Sequence, residues 1–194
     1  MARVLEAGRG FYIWGGYANC ANYPPAMKAA GLYFSQSIIW DKQHPVLTRK
    51  DFMGAHEWCF YGWREGAAHR FFGPANIPDL WHVKKVNPQA MVHLTEKPVE
   101  LSQLAMEYSS LAGEAVLDPF AGTGTTLSVA TGLGRDAVGI DLDKRNIDYA
   151  EDRLGGWAAL DAQLIPLGET PAPEHGLHGV LANWPIALWS DAQN

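Results

Sequence analysis

The chain has 194 residues, 47% of them hydrophobic and eight of them tryptophan, so one domain with an ample core is expected. No run approaches the roughly 20 apolar residues of a membrane span, Met1-Ala-Arg-Val-Leu-Glu6 lacks the regions of a signal peptide, and Cys20 and Cys59 make no disulfide framework or short-spaced metal pair, which points to a soluble protein of the reducing cytoplasm. The net charge of −6 divides unevenly: residues 1–40 carry three basic and one acidic side chains, residues 41–97 eight and six, and residues 98–194 four and fourteen, so nucleic acid would have to be met by the first half.

In chain order, Phe11-Tyr-Ile-Trp14 reads as a buried strand, residues 24–30 as a short helix opened by prolines, and residues 34–40 as a second strand. From Asp41 to about Asn87 the periodicity lapses into turn residues and aromatics, with one strand at Glu57–Trp63. This is the expected substrate-facing insertion. Its Lys42, His44, Arg49 and Lys50 are the cations placed to meet backbone phosphates, with further basic residues from Arg64 to Lys85 behind them.

Pro98 suits the first turn of a helix in which Leu101, Leu104, Ala105, Tyr108 and Leu111 recur at helical spacing. A strand at 115–118, a helix at 124–133, a strand at 136–141 and a helix at 144–154 then make a β-α-β-α run, which implies parallel strands with right-handed crossovers. Beyond Leu154 the pattern weakens among Pro166, Pro171, Pro173 and Pro185, so residues 155–194 are expected to be a loose tail that docks only at Trp184 to Trp189.

The most informative segment is Ala115-Val-Leu-Asp-Pro-Phe-Ala-Gly-Thr-Gly-Thr-Thr126, where an apolar strand ends in an acid and turns through two glycines into a helix. Gly122 and Gly124 can take backbone angles closed to other residues and put no side chain between loop and ligand, and the helix start offers unpaired N–H groups. Asp141 follows Asp118 by 23 residues, close to the spacing of about 20 at which a ribose-binding acid follows such a loop. No lysine stands near Gly124, which excludes a P-loop, and Leu127 stands where a dinucleotide fingerprint has its third glycine. The cofactor is therefore of nucleotide type but neither ATP nor NAD.

Together with His93-Leu-Thr-Glu-Lys-Pro-Val-Glu-Leu101, the stretch 93–154 resembles the S-adenosylmethionine region of DNA amino-methyltransferases, which methylate N6 of adenine or N4 of cytosine. Gly10-Phe-Tyr-Ile-Trp-Gly-Gly16 and Gln36-Ser-Ile-Ile-Trp-Asp-Lys42 resemble that family's later strands. Thr48-Arg-Lys-Asp-Phe-Met-Gly-Ala-His-Glu-Trp58 resembles its junction into the target-recognition region. The order, with cofactor strands last, is that of the circularly permuted beta class. The resemblance implies an α/β, Rossmann-like methyltransferase fold with a mostly parallel sheet over residues 1–154 and a target-recognition insertion at 41–90. S-adenosylmethionine is the implied cofactor and double-stranded DNA the implied partner. Pro119, Phe120, Ala121, Gly122 and Gly124 would approach the methionine portion, Asp118 would favour its amine, and Asp141 would accept from the ribose hydroxyls. Thr95, Lys97 and Pro98, with Glu96 between them, would form a further cofactor-side segment.

One departure bears on mechanism. The family's catalytic signature, Asp/Asn/Ser-Pro-Pro-aromatic, aligns the exocyclic amine and stacks on a flipped base. No such tetrapeptide occurs here; Asn22-Tyr-Pro-Pro25 has the wrong order and is explained by a helix start. In the family the strand carrying the signature is central, beside the strand ending here in Asp118. Its absence predicts an N-terminally incomplete chain with two unpaired inner edges, completed by an upstream polypeptide. The rival readings are a non-catalytic remnant that binds cofactor and DNA, and a Rossmann oxidoreductase. Trp14, Trp40, Trp58, Phe60 and Trp63 read as core aromatics. His44, His56, His69, His82 and His93 share no metal-ligand spacing, and no metal is expected.

Overall fold

The computed structural model describes residues 1–47, 49–86, 97–155 and 186–190. Strand β1 (Gly10–Gly15) is buried along its whole length. Side chains alternate across a strand. Phe11 and Ile13 accordingly pack with Leu5, Met27 and Phe60 on one face, while Tyr12 and Trp14 pack with Trp40, Tyr61, Leu101 and Met106 on the other. A strand covered on both sides has no polar face to show.

Helix α1 (Tyr23–Ala29) opens on Pro24 and Pro25, whose missing N–H groups cost nothing in a first turn. It seats the Tyr23 ring on Phe60 at 4.4 Å, so the segment Asn22–Pro25 serves a helix start and the core. Strands β2 (Leu32–Val46) and β3 (Gly54–Arg64) form a long antiparallel pair. Both outrun the strands expected from periodicity, because cross-strand pairing carries β2 past Trp40 through the polar run Asp41-Lys-Gln-His-Pro45, which no alternation marks. The register shifts between Asp41 and Val46, where Gln43 takes φ 58° and donates its N–H to Asp41 Oδ1 at 2.9 Å. Strand β4 (Leu80–His82) lies parallel to β2 at Ile39–Asp41.

The second half follows the sequence closely. Helix α2 (Val99–Ser109) starts just after Pro98 and buries Leu101, Ala105 and Met106. Strand β5 (Ala115–Asp118), helix α3 (Thr125–Gly132), strand β6 (Asp136–Gly139) and helix α4 (Lys144–Arg153) complete the β-α-β-α run.

A last strand, β7 (Ile186–Ser190), enters the middle of the sheet, whose order is β4-β2-β3-β1-β7-β5-β6. β3 pairs antiparallel with both neighbours and the remaining pairings are parallel, giving the expected α/β, Rossmann-like, mostly parallel sheet. The expectation of two unpaired inner edges is overturned. β7 lies between β1 and β5 and parallel to both, with Phe11 opposite Ala187, Trp14 opposite Ser190 and Leu117 opposite Ala187. The physical reason is the cost of leaving buried backbone N–H and C=O groups without partners. Ile186-Ala-Leu-Trp-Ser190 is an apolar run of strand length that supplies them, from the far end of the chain rather than from residues 1–10.

Candidate functional site

The parallel strands β1, β7, β5 and β6 end on one edge of the sheet, where open α/β sheets place their ligands. β5 delivers Asp118 to that edge, and the chain then turns through Gly122 at φ 52° and Gly124 at φ 77° into α3. The two glycines serve different needs. A Cβ on Gly124 would stand 2.8 Å from the Ala150 Cβ, so this glycine lets α4 close on the loop. Among the described residues nothing lies within 4 Å of where a Cβ on Gly122 would be, so its backbone is open to a ligand on that side.

Asp141, just past β6, ties the loop down. Its Oδ2 accepts the Gly122 N–H at 2.8 Å, and its Oδ1 accepts from Asp143 N–H at 2.9 Å and Asn146 Nδ2 at 3.0 Å. A carboxylate has about four lone-pair sites. Asp141 thus organises the cradle and keeps acceptor capacity for a hydroxyl.

Asp118 is 6% exposed, and its Oδ1 accepts the Phe120 N–H at 3.0 Å. Burial pushes its carboxyl up to about 6, against the Thr126 hydrogen bond and the Phe120 N–H; Asp141 adds to the rise and Lys97 opposes it. A buried acid held this far up is one whose charged form lacks enough positive partners. A ligand amine would supply one. Beside it Ala121 is buried, while the Phe120 side chain is 41% exposed at the lip.

Lys97 and Pro98 lead into α2 from the same side. Lys97 Nζ lies 5.7 Å from the centre of the Trp14 ring and 3.3 Å from Glu57 Oε2, whose other oxygen holds Lys42 Nζ at 2.6 Å. Burial works to raise the Glu57 carboxyl, but Lys97 and Lys42 outweigh it and hold it below the usual range. Nothing in the sequence around Glu57 marks this role. Its role depends on β3 passing beside the end of β2, and a lone acid in an aromatic strand carries no local signature.

Of the residues expected at DNA, His44 and Arg49 are exposed, and Lys50 packs its cation 4.6 Å above the Tyr17 ring with the hydroxyl as partner. Lys42 stands apart from them, its side chain 12% exposed and engaged by Glu57. Thr95 and Glu96 lie outside the described residues, as does His93. His82 Nδ1 pairs with Asp41 Oδ2 at 2.8 Å, and His69 stacks on Trp63 at 4.2 Å. Among the described residues no group of three histidine, cysteine or acidic side chains could hold a metal, and no helix is long and apolar enough to cross a membrane. A cavity of about 320 Å³ beneath residues 74–79, lined by Tyr61, Trp63, Trp81 and Tyr108 among others, shares no residue with the cradle.

The mostly parallel α/β sheet that carries this acid-ended strand, two-glycine turn and second acid has a fold shared with solved DNA methyltransferases. The solved structure of M1.HpyAVI bound to S-adenosylmethionine has this fold, with a TM-score of 0.67 at 23% identity over 75% of this chain and 74% of that one. More particularly, residues 63–152 match the N6/N4 DNA methylase family, and the resemblance to DNA amino-methyltransferases is borne out. The type II methyltransferase M.HinfI of Haemophilus influenzae is 28% identical over 171 residues, covering 78% of this chain and 48% of that protein. M2.DpnII of Streptococcus pneumoniae is 29% identical over 166 residues, covering 78% and 62%. The chain thus spans roughly half of M.HinfI and under two thirds of M2.DpnII.

Proposed function

We propose that this protein is a DNA amino-methyltransferase, moving a methyl group from S-adenosylmethionine to adenine N6 or cytosine N4 in double-stranded DNA. The observation that carries the reading is the cradle, in which a buried acid short of positive partners, an open glycine backbone and a second acid stand together at the ends of adjacent parallel strands. The chemistry of these groups fits the cofactor. Asp118 receives the ammonium of the methionine portion, Gly122 lets that portion approach, and Asp141 offers its remaining lone pair to the ribose. Pro119, Phe120, Ala121 and Gly124 shape the loop, while Lys97 and Pro98, with Thr95 of the same sequence motif, would add further contacts to the cofactor.

When bound, the cofactor supplies an already activated methyl group, so the chain's own task is to exclude water and align the amine. His44, Arg49 and Lys50 hold phosphates. Lys42 reaches one only by exchanging the Glu57 carboxylate for it.

A second reading, a module that binds cofactor and DNA without transfer, is favoured by one observation: the sequence holds no Pro-Pro-aromatic tetrapeptide. An upstream strand bearing it, offered in trans, would have to displace β7. Calorimetry with S-adenosylmethionine, NAD and ATP, followed by a labelled-methyl assay on mixed-sequence DNA, separates the readings. S-adenosylmethionine binding with transfer supports the enzyme, and binding without transfer supports the module. NAD binding with no S-adenosylmethionine binding sinks both.

A further inference from the structure

The cavity beneath residues 74–79 lies on the α2 face of the sheet, at its β4 end, and measures about 320 Å³. Ligand sites span about 300–1,000 Å³, so it has room for one small molecule. β2 runs parallel to β1 and the cavity lies near its start, so it is set away from the edge that carries the cradle. We propose that this cavity is a second binding site, for an uncharged, amine-bearing nitrogen heteroaromatic of nucleoside size. The proposal goes beyond the methyl-transfer reading, and neither needs the other.

The floor and walls are aromatic. Tyr12 and Trp81 are buried there, and Tyr108 reaches in from α2. Trp63 makes a wall on which a flat nitrogen ring already lies, the imidazole of His69, with centres 4.2 Å apart and planes 18° from parallel. Aromatic faces take planar heterocycles of many kinds. Tyr61 adds a polar atom to this floor. Its hydroxyl is enclosed and makes no hydrogen bond among the described residues, because the neighbouring Ser109 hydroxyl is engaged by Tyr12 at 2.7 Å. A buried hydroxyl left so costs free energy, which the polar edge of a ligand reaching the floor would relieve.

The rim is polar, and β2 is irregular where it contributes. The register passes from Phe34 opposite Gly62 to Gln36 opposite Tyr61, which leaves Ser35 as an extra, bulged residue. Regular alternation would send only one of Ser35 and Gln36 to this face, whereas the bulge brings both to the cavity. The loop 74–79 adds Asn76 and Asp79, both exposed. The two amides offer donors and acceptors, and the Asp79 carboxylate only accepts, so it selects a ligand with N–H groups to give. Among the described residues no lysine or arginine lines the cavity, so it has no cation for a phosphate. That disfavours nucleotides and a nucleic-acid backbone and leaves amine-bearing nucleosides, such as adenosine and cytidine.

The test is calorimetry on the full chain with adenosine, cytidine, AMP and purine riboside, which is adenosine without its amine. Adenosine and cytidine should bind, the other two about tenfold more weakly, and excess S-adenosylmethionine should not displace them. Tyr61→Phe should weaken adenosine about tenfold without lowering the melting temperature, since the hydroxyl it removes has no bond to lose. Asp79→Asn, on the exposed rim, should narrow the preference for adenosine over purine riboside. Ser35→Trp, which fills the mouth, should abolish binding, with an unchanged circular dichroism spectrum certifying the fold. The site is overturned if no nucleoside binds, if purine riboside or AMP binds as tightly as adenosine, or if Ser35→Trp keeps full affinity. Displacement of adenosine by S-adenosylmethionine would put the nucleoside in the cradle, overturning the second site while supporting the cofactor reading. Adenosine binding that Ser35→Trp abolishes, in a chain that binds no S-adenosylmethionine, would sink the cofactor reading and support this site.

Discussion

The cradle between β5 and β6 and the hairpin between β2 and β3 stand at the same edge of one sheet, yet they are held in different ways. The cradle is held largely by short-range bonds, with Asp118 accepting from Phe120 and Asp141 from Asp143 and Asn146, plus reaches from the Gly122 N–H to the Asp141 carboxylate and from the Ala121 N–H to the Ile140 carbonyl. The hairpin is held by residues far apart in sequence: Glu57 against Lys42 and Lys97, His82 against Asp41, Lys50 against Tyr17. Local bonds and glycine angles write themselves into a motif, whereas cross-strand pairs do not. A site built half from each is visible from one side only.

The comparison can be broken most sharply at the strand that joins the two regions. Ala187 of β7 faces Phe11 on one side and Leu117 on the other, so Ala187→Pro removes a ladder donor from the middle of the sheet. We expect a loss of roughly 3 kcal/mol or more, read as a lower urea midpoint. An unchanged midpoint would mean that β7 contributes nothing to holding the halves together.

Next in size comes Asp118. Burial pushes its carboxyl up to about 6 in the fold against 3.8 for an ordinary aspartate, so the folded state holds the proton more tightly. That contribution is fully present below the unfolded value and is lost as pH rises through the folded one, leaving the ionised acid destabilising at pH 7. Asp118→Asn should therefore stabilise the chain at pH 7, by up to about 3 kcal/mol, and flatten the stability profile between pH 4 and 6. The same variant should lose cofactor affinity, and wild-type affinity should fall as pH drops below about 6. Thermal melts across that window check the first claim and calorimetry the second. A stabilised variant with full affinity would take Asp118 out of the ammonium role.

Within the cradle, the two glycines should respond unequally. Gly124→Ala meets both a left-handed φ of 77° and the Ala150 Cβ at 2.8 Å, and should cost about 2 kcal/mol. Gly122→Ala has open space and a milder φ of 52°, so its stability cost should be near 1 kcal/mol while cofactor binding suffers more. Equal losses of stability from both, with cofactor affinity intact in Gly122→Ala, would show that the loop is a tight turn and nothing else.

These contrasts also explain what the sequence disclosed. β5, α3, β6 and α4 were legible almost to the residue because acid, glycine pair and helical spacing are all contiguous. The end of β2 was not, because Asp41 to Pro45 joins the sheet through pairing with β3 across a register shift. β7 was the hardest to place. The run Trp184 to Trp189 can be recognised as a docking segment, but the slot that Ile186–Ser190 fills is defined by the needs of β1 and β5, more than sixty residues away in sequence. Glu57 was missed for the same reason: both of its partners come from other segments.

The smallest expected effect is the one that tests how the two regions are joined. Glu57 links Lys42 of the hairpin to Lys97 of the cofactor side at 2.6 and 3.3 Å, and Glu57→Gln keeps the shape while removing the charge. Its side chain is 34% exposed, so solvent screens the pair and the stability loss should be no more than about 1 kcal/mol. Because Glu57 is held below its ordinary range, its contribution is present at neutral pH and is lost as pH falls through the folded value, so the variant should flatten the acid limb of the stability profile. If the bridge also positions Lys97 over Trp14, cofactor affinity should fall a fewfold, about 1 kcal/mol or less, and Lys42 should become free to sense DNA, steepening the salt dependence of binding. Acid-limb stability, cofactor affinity and salt slope all matching wild type would mean that cradle and hairpin share an edge without sharing a support.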